Sequence, residues 1–138
     1  MRLYSVTGRL VSKNVSKYRI NWDKKSRSNI QFSVKQFLRN HWSTHIVYEE
    51  FPVYGTRLKV DFLNATRKIA VEVNGSQHSS FNKFFHQNSR AKYLSSIRRD
   101  YEKYEWLMKN GYKFVEIEEG DMKDLSVEFI KQKFEVEI

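Results

Sequence analysis

Hydrophobic and polar positions along this chain change period several times, and each change marks an element. Ile30, Val34, Phe37 and Leu38 recur at intervals of three and four, the spacing of one buried helix face. Ser26, Ser28 or Asn29 can cap that helix, which is predicted to run to about Trp42. A β-type run follows at His45–Phe51, with Ile46, Val47 and Tyr48 at its centre, and it ends at Pro52 and Gly55. Leu58–Leu63 and Lys68–Val73 then alternate with period two on either side of the turn-like Asn64, Ala65 and Thr66. Gly75 and Ser76 break the pattern, and residues 79–87 are polar and aromatic in the manner of a loop. A long helix is predicted from Asn88 to about Asn110, with Leu94, Ile97, Tyr101, Tyr104, Leu107 and Met108 as its apolar side and Gly111 as its C-cap. Tyr112–Ile117 reads as a further strand, and Asp121 as the start of a last helix. Residues 1–26 read as an irregular basic arm with one short strand near Leu3–Leu10.

Helix, three-strand meander, helix, strand, helix is the order of an α/β domain whose mixed sheet lies between helices. The 138 residues suffice for one ordinary domain and are too few for two. The expected organisation is a single domain: an arm at 1–26, a core at 27–120 and a C-terminal helix at 121–138.

Alternation also sorts the polar residues. Leu58, Val60 and Phe62 share one face of their strand, which leaves Lys59, Asp61 and Leu63 on the other. On the next strand Ile69, Val71 and Val73 oppose Ala70, Glu72 and Asn74. Matching the apolar faces across the hairpin brings Asp61, Glu72 and Asn74 to one side, and a one-residue slip would destroy the match. Two carboxylates in strands that otherwise read as core repel each other and lose hydration. A hard divalent cation relieves both penalties. The plainer alternative is a pair of strand acids that meet solvent or pair with Lys59 or Arg67.

Charge narrows the partner. Twenty-five Lys and Arg against 16 Asp and Glu give a formal +9, unevenly spread. Residues 1–27 carry eight cations against Asp23 alone, whereas residues 112–138 carry eight carboxylates against four lysines. A one-sided positive field is the footprint of a phosphate-rich partner, a nucleic acid of either kind, with a basic but inert surface as the alternative. No apolar run approaches the roughly 20 residues that span a bilayer, and the N-terminus lacks a signal peptide's apolar core. An intracellular, cytoplasmic setting and no membrane partner are the expectation. The absence of cysteine removes disulfides, thiolate catalysis and cysteine-ligated zinc. Neither a P-loop nor a dinucleotide-binding glycine pattern occurs. His41, His45 and His86 form no ligand cluster and read as structural or exposed. Tyr18, Trp22, Phe81, Phe84 and Phe85 lie among basic residues, as packing groups or as surfaces for stacking on bases.

With Asp61 on one strand, Glu72-Val73-Asn74 closing the next, and Gly75, Gln77 and His78 following, the stretch resembles the PD-(D/E)XK restriction-like nucleases. The longer form, continued by a helix with Asp100 and Lys103, is similar to the branch of very-short-patch repair endonucleases and phage homing endonucleases. The resemblance covers roughly residues 26–120. It implies a metal-dependent DNA endonuclease on a restriction-endonuclease-like sheet, using Mg²⁺ with Mn²⁺ as a substitute, and acting as a homing or site-specific enzyme or on mismatches, forks or junctions. A homodimer would allow both strands to be cut. A non-catalytic DNA-binding module on the same fold is the competing expectation.

Residue by residue, the resemblance makes Asp61 and Glu72 metal ligands together with the Val73 carbonyl. Asn74 stands where the motif's lysine would be, so the positive charge must come from another group, with Gln77, His78 or a lysine of the loop or long helix as candidates. His78 becomes a general base or phosphate donor. Asp100 is the helix acid, set at the edge of the arc through Ile97, Tyr101 and Tyr104, with pairing to Lys103 as its alternative. Gln31 occupies the place of the branch's first-helix glutamate, and Glu49 or Glu50 are candidates to replace it. Lys24, Lys25, Arg27, Lys83, Arg90, Arg99 and Lys103 are the expected phosphate contacts, with Arg98 as a further candidate.

Overall fold

A computed structural model describes residues 1–74 and 90–138, with side chains from residue 97 onward in the second stretch. Gln77, His78, Phe81, Lys83, Phe84, Phe85 and His86 lie outside the described residues, as do the side chains of Arg90 and Leu94.

Helix α1 spans Asn29–Trp42. Its first turn is closed by Ser28, whose Oγ accepts the Gln31 N–H at 3.2 Å. The strands β3 (Val47–Pro52), β4 (Lys59–Asn64) and β5 (Ile69–Asn74) form an antiparallel meander. Helix α2 (Arg90–Lys109) then carries the chain to β6 (Lys113–Glu118), which pairs parallel with β5. Gly111, at φ +81°, takes the left-handed conformation that ends α2. The sheet order is β3-β4-β5-β6, a four-stranded mixed sheet with helices on both faces.

Two cores hold this sandwich. Val34, Leu38 and Trp42 of α1 and Ile130 of α3 (Val127–Phe134) pack on Phe62, Ile69, Val71, Val73, Val115 and Ile117. Trp106 and Leu107 of α2 pack on Leu63, Ala70, Tyr48 and Phe51 across the sheet. Each fully buried aliphatic side chain such as Leu38 contributes about 1.5–3 kcal/mol.

Four expectations are corrected. The N-terminal segment is not a loose arm with one strand: β1 (Arg2–Tyr4) and β2 (Leu10–Ser12) pair antiparallel, and Leu3 and Val15 are buried. Three-residue strands are too short to show alternation. The hairpin is seated on the body of the protein through several backbone contacts. Val6 N–H donates to Tyr54 O at 2.9 Å, Trp106 Nε1–H donates to Tyr4 O at 2.6 Å, and Tyr4 N–H donates to Asn110 Oδ1 at 2.7 Å. Gly55, at φ +100°, permits the approach, since a Cβ there would lie 2.6 Å from Val6 Cγ2.

Asp121 does not start the last helix. It caps a 3₁₀ turn at Glu119–Asp124, accepting the Glu118 N–H at 2.9 Å, while α3 begins after Ser126, whose Oγ accepts the Phe129 N–H. Val60 and Leu58 leave the face of Phe62 and join the α2-side core. Their neighbour Glu50 has φ +55°, which breaks the pleat and turns Phe51, the register partner of Val60, toward α2. Finally, of the expected apolar side of α2 Leu107 is buried, joined by Trp106, whereas Ile97, Tyr101, Tyr104 and Met108 are exposed. Periodicity detects an apolar stripe but not the direction in which it faces.

Candidate active site

The register pairs Phe62 with Val71 and Leu63 with Ala70, so Asp61 comes opposite Glu72. The two side chains converge. Both residues are buried, at 3% and 8% exposure, and their carboxyls interact directly. Val73 N–H donates to Asp61 Oδ2 at 2.8 Å. Since the N–H and C=O of a strand residue point the same way, the Val73 carbonyl is directed to the same side.

Electrostatics follow from this placement. Burial raises the Asp61 pKa, against the Val73 hydrogen bond that lowers it. Burial first, and the neighbouring Asp61 second, push the Glu72 carboxyl up to about 8, against the lowering influence of Lys103. Lys103 Nζ lies 2.9 Å from Glu72 Oε1 and forms a close ion pair with it. Arg27 approaches Asp61 Oδ1 only to 3.7 Å from an exposed position, and such a contact stabilises little.

These groups line a cleft of about 480 Å³. Arg27, Arg57, Lys59, Arg99 and Lys103 face Glu50, Asp61, Glu72 and Asp100 there, with Val73 and Asn74 between them. On α2, the inward arc runs from Trp106 and Leu107 through Lys103 to Asp100 and Arg99. It is apolar over the core and polar where it crosses the carboxyls.

The remaining candidates divide. Asn74 turns from Asp61 to donate to Glu116. Asp100 lines the cleft wall beside Lys103. Gln31 is buried but does not reach the cleft; its Nε2 bridges Glu49 Oε2 at 3.0 Å and Glu50 Oε1 at 3.1 Å. Glu49 is occupied by Lys35 Nζ at 2.7 Å and Ser26 Oγ at 2.6 Å, which leaves Glu50 as the member of the pair beside Asp61. Lys24 and Lys25 are exposed away from the cleft lining, and Lys24 lends its carbonyl to Lys35 at 2.6 Å. His45 is held by Asn64 at 3.0 Å, and His41 packs on Phe37. Tyr18 packs edge-on against Phe51, and Trp22 packs on the α1-side core.

Three residues near the site were missed in the sequence. Lys35 falls at the edge of the buried arc of α1, beyond Leu38 and next to Trp42 on a helical wheel. Glu116 is the register partner of Glu72 and shares its face, as the alternation of β6 implies once β6 is placed beside β5. Arg57 gave no periodic signal.

Among the described residues, no three His, Cys, Asp or Glu side chains form a ready metal cluster. None of the described helices is long and apolar enough to cross a membrane. No family model matches the chain, and no solved structure does. Over 66 residues the chain is 38% identical to "Uncharacterized protein 033L" of Invertebrate iridescent virus 3. That stretch is 48% of this chain and spans only 34% of the viral protein's length.

Proposed function

We propose that the chain is a metal-dependent DNA endonuclease that hydrolyses phosphodiester bonds in the Asp61–Glu72 cleft, on a restriction-endonuclease-like sheet. The observation that carries this reading is the meeting of two buried carboxyls from adjacent strands beneath Lys103. An antiparallel meander followed by a helix and a parallel fourth strand supports the fold assignment.

The donor set fits a hard cation. It consists of oxygens alone, two of them supplied by buried carboxyls. Asp61, Glu72 and the Val73 carbonyl would hold Mg²⁺ or Mn²⁺, which when bound supplies Lewis-acid polarisation of the phosphate and a nucleophilic water. The protein's own groups do the rest. Positive charge entering the cleft favours the ionised form of Glu72, whose pKa burial and Asp61 raise. Lys103 provides the charge that Asn74 lacks, offsetting the negative charge that grows on the phosphate. Arg27, Arg57 and Arg99 at the cleft bind flanking phosphates.

The test is a nuclease assay on plasmid and on branched oligonucleotides, with Mg²⁺, Mn²⁺ or chelator. Plasmid cutting at defined positions marks a site-specific or homing enzyme; preference for forks, junctions or mismatches marks a structure-selective one. Asp61→Asn is expected to reduce cleavage by more than about a hundredfold while DNA affinity is retained. Cleavage that persists in chelator, or in that variant, overturns the mechanism.

A second reading, a DNA-binding module without catalysis, is favoured by the Lys103–Glu72 pair, which neutralises one carboxyl without a metal. Titration calorimetry separates the two: binding of DNA without any heat from Mg²⁺ or Mn²⁺ and without nicking supports the module.

A further inference from the structure

The outward face of α2 is the most apolar exposed surface among the described helices. Ile97, Tyr101, Tyr104 and Met108 are 44%, 63%, 41% and 51% exposed. Their spacing is four, three and four residues, so on a helix of 3.6 residues per turn they fall within an arc of about 60°. A helix that packs on a globular core carries a broader stripe. A narrow stripe at alternating three and four is the seam that a second helix fills, knob into hole.

The flanking charges indicate which helix that is. Arg98 and Glu105 are exposed and lie on the same flank of the seam, one residue after Ile97 and Tyr104 respectively. When two copies of α2 run antiparallel about a two-fold axis, Ile97 meets the partner's Met108 and Tyr101 meets the partner's Tyr104. Arg98 then meets the partner's Glu105 twice over, because a two-fold contact repeats every pair. A parallel arrangement would instead bring Asp100 and Glu105 of opposite copies together, like charge against like.

We infer that the Ile97–Met108 face of α2 is a self-association surface, on which two copies of this chain pair antiparallel. The surface does not depend on the nuclease reading, although Tyr104 at its edge also packs edge-on against Phe114 at 5.6 Å and borders a pocket beside Glu72 and Lys103. One helix against one helix is a small interface, so the association is reversible, with a dissociation constant on the order of micromolar.

Sedimentation equilibrium of the full chain over a concentration series is expected to show a monomer–dimer equilibrium. Tyr101→Glu, at the most exposed position of the seam, should weaken it about tenfold or more. Arg98→Glu alone and Glu105→Arg alone should each weaken it, and the double reversal should restore it. Because the chain has no cysteine, orientation is read directly by crosslinking. A mixture of Ile97→Cys and Met108→Cys chains should form a disulfide-linked heterodimer under mild oxidation. Neither variant alone should crosslink, since in the antiparallel arrangement its own copies lie about 16 Å apart along the axis. A monomer at every concentration, a dimer indifferent to Tyr101→Glu, or efficient crosslinking by Ile97→Cys alone would each overturn the inference. Circular dichroism of each variant distinguishes a lost interface from a lost fold.

Discussion

Glu49 and Glu72 belong to the same sheet and are both largely buried, but they sit in opposite electrostatic circumstances. Glu49 faces α1, where Lys35, Ser26 and Gln31 all donate to it and its charge is matched. Glu72 faces α2, where a second acid stands directly opposite and, among the described residues, one lysine pairs with it. A buried acid with enough donors holds strands and helix together. A buried pair of acids with too few donors retains a proton and is poised to accept a cation. The comparison separates structure from chemistry more sharply than burial or charge does alone.

Breaking the matched site should have the larger effect on stability. Lys35→Met removes a fully buried cation and leaves Glu49 short of charge, so a loss of about 3–5 kcal/mol is expected in urea unfolding. Adding Glu49→Leu should recover most of it, because a buried ion pair exchanged for apolar groups is often neutral.

The poised site should respond in the opposite sense. The folded-state pKa of Glu72 stands at about 8, above its ordinary value of 4.5. The folded protein therefore holds a proton that the unfolded chain releases. The associated stability is fully present below about pH 4.5 and is lost as pH rises toward 8. In chelator, Glu72→Gln should flatten this decline and raise Tm at pH 8 by a few degrees, even as it abolishes cleavage. Mg²⁺ or Mn²⁺ should raise the Tm of the unaltered protein more at pH 8 than at pH 5.5, and this difference should vanish in Glu72→Gln.

The smallest effect is expected where the two sites touch. Gln31→Leu removes the amide that links Glu49 to Glu50, at a cost of about 1 kcal/mol in stability. Metal affinity should fall less than in Asp61→Asn, because Gln31 acts on the cleft only through Glu50.

Much of this was legible in the residues. The opposition of Asp61 and Glu72 follows from alternation in two strands, and α1 from Ser28 and its apolar spacing. Other parts depend on properties that single-strand periodicity does not carry. The positive φ of Glu50 turns Phe51 and Val60 against simple alternation, and no residue type announced it. The direction of α2 depends on which side meets the sheet, and its inner arc is polar because it passes over carboxyls. The partnership of Lys35 and Glu49 joins residues distant in sequence, and the motif's glutamine and histidine at positions 77 and 78 fall outside the described residues.

Tyr4 grips α2 at its far end, through the Trp106 indole and the Asn110 amide. That grip makes the opening residues a counterweight for a lever whose other arm carries Lys103 and Arg99. Trimming residues 1–5 would leave the indole without its acceptor and free the helix to tilt, so damage at the front of the chain would register as a misplaced lysine over the acidic pair.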